Sequence, residues 1–447
     1  MNPSHSQAAQ WCFEHLTPSL RSDVLGLCSI CRCKFSVGLH GALTANGLAA
    51  TYGQSQPTKG RESVFLLLVT PEGADRPPAL ELALSPILEQ ERAFRPASSL
   101  EVPQEDGDDF DRGARRQARE NNGSNSLLLD TATPAAVFAQ AAGGRPLGIA
   151  GDGMQTLGRT QSRPHLLREL FDHNRVRRET QRGIAQTAYP SSAAVSLTLD
   201  QREVNRLLDR SHDLLRTTFI RFLVFGTPPC LGWRDFASDT AAAEKHVSNL
   251  HEHMRSRLEA HYREAGGSGD RAFLSLGAAD ILKKFRCELE AEVRDGIVGG
   301  WVRGITDAVD LAPDHAERLA RGIEDRESGS VEVQPATMEA AIAIVKLCLL
   351  TFDYVVGPPP KASIRAVWAP RLLRWLQTRT PTALQSQALQ LLRAECPRSV
   401  CPQKLWLPTI QELQNAGIAR VHKQHLALTS LAFSPFVPTS WLVGYSE

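Results

Sequence analysis

Five short apolar runs constrain the fold of this chain more than any other feature. They are residues 63–69 (SVFLLLV), 126–130 (SLLLD), 146–152 (PLGIAGD), 193–199 (AAVSLTL) and 219–225 (FIRFLVF). Runs of this length, set off by Gly, Pro or polar residues, read as strands, the first of them fully buried. Segments with helical spacing lie between them. One is 78–92, whose Pro78 suits a first helical turn, where a missing N–H costs nothing. Others are 134–142, 164–172 and 200–209. Strands alternating with short helices predict a mainly parallel sheet with helices on its faces, an α/β fold. Ligands of such sheets sit beyond the carboxyl ends of the strands. Here those ends carry residues 70–76, Asp130 and Asp152.

Over 447 residues the chain is 42% apolar and 22% charged, with a net charge of +1. That is an ordinary globular balance, so any nucleic-acid surface must be local. At roughly 100–200 residues per domain, the length predicts two to four domains. No run approaches ~18 consecutive apolar residues, so no membrane span is expected. The first residues, MNPSHSQAAQWCFEHL, have neither the basic start nor the apolar stretch of a secretory signal. Nine cysteines, an odd number scattered over a long chain, predict reduced thiols and a cytoplasmic protein.

The expected organisation has four parts. Residues 1–57 form an N-terminal helical segment, and residues 58–229 form the α/β core, with a polar insertion at 95–125. Residues 235–357 are helical, with 338–354 as the most apolar helix. Residues 360–447 close the chain after the Gly357-Pro-Pro-Pro360 linker. In that last part a helix from 405 is stopped by Gly417 and followed by two short strands, the order of a winged helix-turn-helix.

Segments 63–91, 127–137, 147–157, 193–204, 214–228 and 316–354 follow one another in a recognisable order. Within them stand Asp130-Thr-Ala-Thr-Pro134, Asp152-Gly153 and Arg221-Phe-Leu223. Over about residues 20–430 the chain resembles the P-loop family of primase- and helicase-associated proteins of plasmids, phages and genomic islands, long described as a domain of unknown function. The resemblance implies a RecA-like P-loop core, ATP and Mg²⁺ as cofactors, and a role in DNA replication or another nucleic-acid transaction of a mobile element. A replication protein, nucleic acid or further copies of the chain are the implied partners.

The departures from that pattern are specific. A working phosphate loop uses Lys to neutralise phosphate and Ser/Thr to hold Mg²⁺. The aligned stretch here, residues 70–78, reads TPEGADRPP. Gly73 is kept, Arg76 stands at the lysine position and Pro77 replaces the hydroxyl. Arg is a larger planar fork and no compact point charge. The family's Asp-Glu pair is Asp152-Gly153. Gly73 and Arg76 are therefore candidate nucleotide contacts in a degenerate loop, and Asp152 and Arg221 are the candidate catalytic residues. Asp152 suits either a Mg²⁺ ligand or a cap for the next turn; Arg221 suits either a phosphate contact or an ion pair. ATP hydrolysis is expected to be impaired or lost, which makes a pseudo-ATPase scaffold for a replication partner the alternative reading.

Two local basic stretches are candidates for nucleic-acid contact. Between Arg159 and Arg182 seven arginines face three carboxylates, a net of +4, with Arg175, Arg177 and Arg178 at its centre. Near the C-terminus Arg420, His422, Lys423 and His425 fall within six residues. Cys28, Cys31, Cys33 and His40 do not suggest a metal site. Structural zinc prefers two separated ligand pairs, and these thiols lie on an apolar segment read as one helix.

Overall fold

The computed structural model describes residues 5–53, 63–71, 78–94, 127–129, 134–141, 146–157, 162–173, 175–179, 185–226, 240–263, 273–295, 305–357, 364–379, 386–398, 400–429 and 432. The chain is mixed α/β. Its contacts divide it into two units, one of His5–Lys283 with Leu311–Cys348, the other of Met1–Ser4, Lys284–Asp310 and Leu349–Glu447.

In the first unit three helices, α1 (His5–His15), α2 (Pro18–Cys31) and α3 (Phe35–Gly53), precede β1 (Val64–Thr70). Every residue of β1 is buried. Next come α4 (Pro78–Phe94), β2 (Leu128–Leu129), α5 (Pro134–Ala141), β3 (Leu147–Asp152), α6 (Gly153–Leu157) and α7 (Ser162–His173). A hairpin of β4 (Val176–Glu179) and β5 (Ala185–Ala188) leads to β6 (Ala193–Asp200), α8 (Gln201–Phe219) and β7 (Leu223–Gly226). Five of these strands form a sheet in the order β2-β3-β6-β1-β7, with every pair parallel.

A strand with apolar residues on both faces needs cover on both. Leu66 pairs with Ser196, and the Ser196 hydroxyl meets Thr44 of α3 at 2.9 Å. Phe65, one position away, meets Phe171 of α7 edge-on at 5.3 Å. Alternate strand residues point to opposite faces, so α3 and α7 cover opposite sides of the sheet. On the α3 side, α2, α4 and α9 (Thr240–Arg263) pack around α3, while α12 (Ala312–Glu327) touches both α3 and α7. Arg318 of α12 is buried, donates to the carbonyls of Ser63 and Phe171, and lies 3.8 Å above the Phe171 ring.

Two expectations are corrected, and one stretch gains structure the sequence did not show. The run at 219–225 is a strand only from Leu223; before it α8 continues through Phe219. Leu207, Leu208, Leu215 and Phe219 keep helical spacing and are all buried. The charged stretch after His173 contains the β4–β5 hairpin. The segment 235–357 is not wholly helical: β8 (Phe273–Leu274) pairs in parallel with β9 (Glu332–Val333). The remaining helices of this region are α10 (Leu276–Asp295), α11 (Thr306–Val309) and α13 (Pro335–Val355). Among the described residues α13 is the one helix long and apolar enough to cross a membrane, and 72% of its most apolar window is buried. The expected insertion at 95–125 lies outside the described residues.

The second unit ends in a small α/β module. It comprises a π-helical turn (Ile364–Trp368), α14 (Ala369–Arg379), β10 (Ser386–Ala388), α15 (Leu389–Glu395), α16 (Trp406–Asn415), β11 (Ala419–His422) and β12 (His425–Leu428). The strands form an antiparallel sheet in the order β10-β12-β11. Leu372, Leu376, Leu392, Trp406, Leu413, Leu426 and Leu428 fill its core. The strand β10 was not evident from the sequence.

Candidate functional site

The parallel sheet brings three strand ends to one edge. Thr70 of β1 lies beside Asp200 of β6, and Asp152 of β3 lies beside Thr198. Asp200 opens α8 with a reciprocal capping box. Its carboxylate accepts from the Glu203 N–H at 2.6 Å, and the Glu203 carboxylate accepts from the Asp200 N–H at 2.8 Å. Burial pushes the Glu203 carboxyl up, and the charges of Asp200 and Asp152 push it further, against the lowering pull of the Asp200 N–H. Asp152, Asp200 and Glu203 thus share one electrostatic neighbourhood. Asp200 and Glu203 were not among the sequence candidates. The signal that marks them is the Asp200-x-x-Glu203 spacing ahead of an apolar-periodic helix.

Asp152 is exposed. Its carboxylate accepts from the N–H groups of Met154 at 2.7 Å and Gln155 at 3.3 Å, which caps the short helix α6. The next residue, Gly153, is buried. A β-carbon built on it would lie 2.6 Å and 2.8 Å from Leu199 side-chain atoms and 3.0 Å from the Thr198 carbonyl oxygen. Glycine at this position is therefore a packing requirement. Gly73 and Arg76, like Asp130, Thr131 and Thr133, lie outside the described residues. Among the described residues no group of three His, Cys, Asp or Glu is placed to hold a metal ion.

Arg221 is elsewhere. It precedes β7, whose Leu223 pairs with Leu66 near the start of β1, so it stands at the amino edge of the sheet. Asp152 ends β3 at the opposite edge. The Arg221 guanidinium makes a two-pronged contact with Asp172, at 2.8 Å and 2.6 Å, and donates to the Thr217 carbonyl. The fold does not bring Arg221 and Asp152 into one site.

The basic stretch is partly internally matched. Arg175 pairs with Glu169 at 3.3 Å. Arg177 and Arg178 lie on β4, and their side chains are outside the described residues.

The C-terminal hairpin presents its charges more openly. Arg420, His422, Lys423 and His425 are exposed. Lys423 and Gln424 form the two-residue turn with φ of 45° and 65°, as a type I′ hairpin turn requires. On α16 the outward positions are Leu407, Pro408, Gln411 and Asn415. Leu407 is 59% exposed, and Gln411 donates to Asn415 at 3.0 Å. On α14, Arg371 pairs with Asp353, and Arg379 pairs with Glu395 at 3.6 Å while stacking on Trp375.

Two further polar clusters lie in the first unit. His40 Nε2 is 3.2 Å from the Ser196 hydroxyl, and both residues are buried. Burial pushes the His40 imidazole down to about 3, so it is neutral at physiological pH. The pair joins α3 to β6 and is sealed from solvent. A cleft of about 550 Å³ is lined by residues of α2 and α9 together with Arg326. Among its lining residues Asp23, fully buried, accepts two hydrogen bonds from Arg326 at 2.9 Å and 3.0 Å.

No protein-family model matches this chain, and no curated protein matches it.

Proposed function

We propose that this chain acts in DNA replication or another nucleic-acid transaction of a mobile element, associated with a helicase or primase. In this reading it is built on a RecA-like P-loop fold and has impaired or lost ATP hydrolysis. The strand order supports the fold reading. β1, which leads into the 70–78 stretch, lies inside the sheet, and one strand, β6, separates it from β3, which ends at Asp152.

The observation that carries the loss of hydrolysis is Gly153. The family pattern places a water-orienting carboxylate there, and the Leu199 side chain leaves no room for one. Asp152 is engaged as a helix cap, and Asp200 and Glu203 add negative charge where polyphosphate would approach. A magnesium–ATP complex does not fit what these residues offer. Arg76 and Pro77 weaken the phosphate loop by their chemistry alone.

The C-terminal module supports a nucleic-acid role through its hairpin, in the manner of a winged helix, whose wing contacts the phosphate backbone. A second reading, a scaffold that binds a replication protein, draws on a different surface. The outward face of α16, the position of a recognition helix, is apolar and neutral around Leu407 rather than basic.

The test is magnesium-dependent ATP turnover by the full chain. No turnover above background is expected. Turnover that Asp152→Ala abolishes would overturn the reading.

A further inference from the structure

The junction of α2 and α3 places two thiols together. Helix α2 ends at Cys31, and Arg32 takes a left-handed conformation, φ 48° and ψ 41°. The N–H of Arg32 and the N–H of Cys33, the latter at 3.2 Å, both donate to the Cys28 carbonyl. This is a Schellman-type cap. In such caps the helical residue that accepts the longer bond and the second residue past the end lie against each other, usually as an apolar contact. Here those two residues are Cys28 and Cys33, with the Cys28 thiol donating to the Lys34 carbonyl at 3.7 Å and the Cys33 thiol to the Leu27 carbonyl at 3.9 Å. Helix α3 makes room for the sulfur. A β-carbon at Gly38 would lie 2.3 Å from Cys28 Sγ, so only a glycine backbone fits there.

The two thiols are unlike. Cys28 is buried and Cys33 is half-buried. The nearby Cys28 thiol lowers that of Cys33, while the Cys33 thiol and burial raise that of Cys28. Cys31 sits on the helix before the cap, and burial pushes its thiol up to about 11. The chain thus has a more acidic, more accessible sulfur backed by a buried partner, the arrangement of an attacking and a resolving thiol.

We propose that Cys28 and Cys33 are a redox modification site, a dithiol that hydrogen peroxide converts to a reversible disulfide across the α2 cap. Cys33 loses its proton and its sulfur attacks one peroxide oxygen. The O–O bond breaks, Cys33 becomes a sulfenic acid, and hydroxide leaves with the lost proton as water. The Cys28 sulfur then attacks the Cys33 sulfur. The S–S bond forms, the S–O bond breaks, and hydroxide leaves with the Cys28 proton as a second water. Two electrons pass from the two thiols to the peroxide, and a dithiol reductant returns them.

The test uses the reduced full-length chain treated with graded hydrogen peroxide, blocked with iodoacetamide and digested with trypsin. Cleavage after Arg32 puts Cys28 on residues 22–32 and Cys33 on residues 33–34, so the bond appears as a cross-linked pair in the mass spectrum. The expected result is that pair, from monomeric chain, reversed by dithiothreitol. It is retained in Cys31→Ser and lost in Cys33→Ser and in Cys28→Ser. The proposal is overturned by a cross-link that Cys31→Ser removes, by disulfides only between chains, by sulfinic acid at Cys33 without a cross-link, or by no reaction. Should Cys28→Ser fail to fold by circular dichroism, the native chain and Cys31→Ser decide the question alone.

Discussion

The α-carbon of Gly153 faces the Leu199 side chain so closely that a β-carbon there would lie 2.6 Å from Leu199 Cγ. The contact joins the start of α6 to the end of β6 inside a packed layer, where neighbours have little freedom to retreat. Gly153→Ala is therefore expected to destabilise the chain by about 1–3 kcal/mol, the usual cost of overpacking, and Gly153→Glu by at least as much. Urea midpoints of the two variants check this. A carboxylate placed at this position should yield no ATP turnover. Wild-type stability in Gly153→Glu would show that the site has room.

Arg221 separates a structural role from a nucleotide role. Its two bonds to Asp172 are partly shielded, with side chains 12% and 30% exposed. Charge-assisted hydrogen bonds contribute about 1.5–3 kcal/mol, so Arg221→Ala should lose roughly that much stability. In a double-mutant cycle with Asp172→Asn, the second substitution should cost much less than it does alone. Any nucleotide affinity of the parent chain should be the same in the variant, because the guanidinium stands at the sheet edge opposite Asp152. Unchanged stability together with lost nucleotide binding would reverse the assignment.

The sheet was legible because its strands are almost uniformly apolar and its helices have clear periodicity. The five apolar runs at 63–69, 126–130, 146–152, 193–199 and 219–225 correspond to the five strands that pair in parallel. Where sequence reading failed, local pattern and tertiary context disagreed. Phe219 belongs both to an apolar run and to the helical spacing of Leu208 and Leu215, and the helix prevails. Cys28, Cys31 and Cys33 look like one helical stretch, but Arg32 adopts positive φ and folds Cys33 back onto Cys28. Near the candidate site, Asp152 stands out in the sequence by its place at a strand end. Asp200 and Glu203 were overlooked because a capping box reads as structure until the sheet register sets it beside Thr70.

Two buried imidazoles make stability depend on pH. Burial holds His40 at about 3 and His315 at about 4, below the ordinary value of about 6.5. Between each folded value and 6.5 the unfolded chain binds a proton that the folded chain refuses. Their contribution is therefore complete above about pH 6.5. It falls as pH drops, by up to about 1.4 kcal/mol per unit for each imidazole. Asp23 and Asp325, whose carboxyls burial pushes up, act with the opposite sign, so the total slope mixes both. His40→Gln isolates one imidazole: its urea midpoint should fall less steeply from pH 6.5 to 5 than that of the parent chain. Equal slopes would mean that His40 is protonated in the fold.

The C-terminal hairpin gives the sharpest contrast between the two proposed functions. Its turn at Lys423-Gln424 has positive φ at both residues, which fixes the hairpin and holds Arg420, His422, Lys423 and His425 outward. On α16 the basic contribution is Lys404 just before the helix, while Leu407, Pro408 and Gln411 face outward. Phosphate contacts through the hairpin, without base contacts from the helix, give weak binding that depends on salt rather than on sequence. The full chain is expected to bind duplex DNA weakly at low salt, with similar affinity for unrelated sequences. Arg420→Ala with Lys423→Ala should weaken that binding and reduce the salt slope by about two, near one for each lost phosphate contact. Leu407→Ser should leave it unchanged, because Leu407 offers phosphate nothing. Affinity that is absent at low salt, or that survives the double substitution, would remove the DNA role from this module. The exposed face around Leu407 would then be its working surface, and the scaffold reading would take its place.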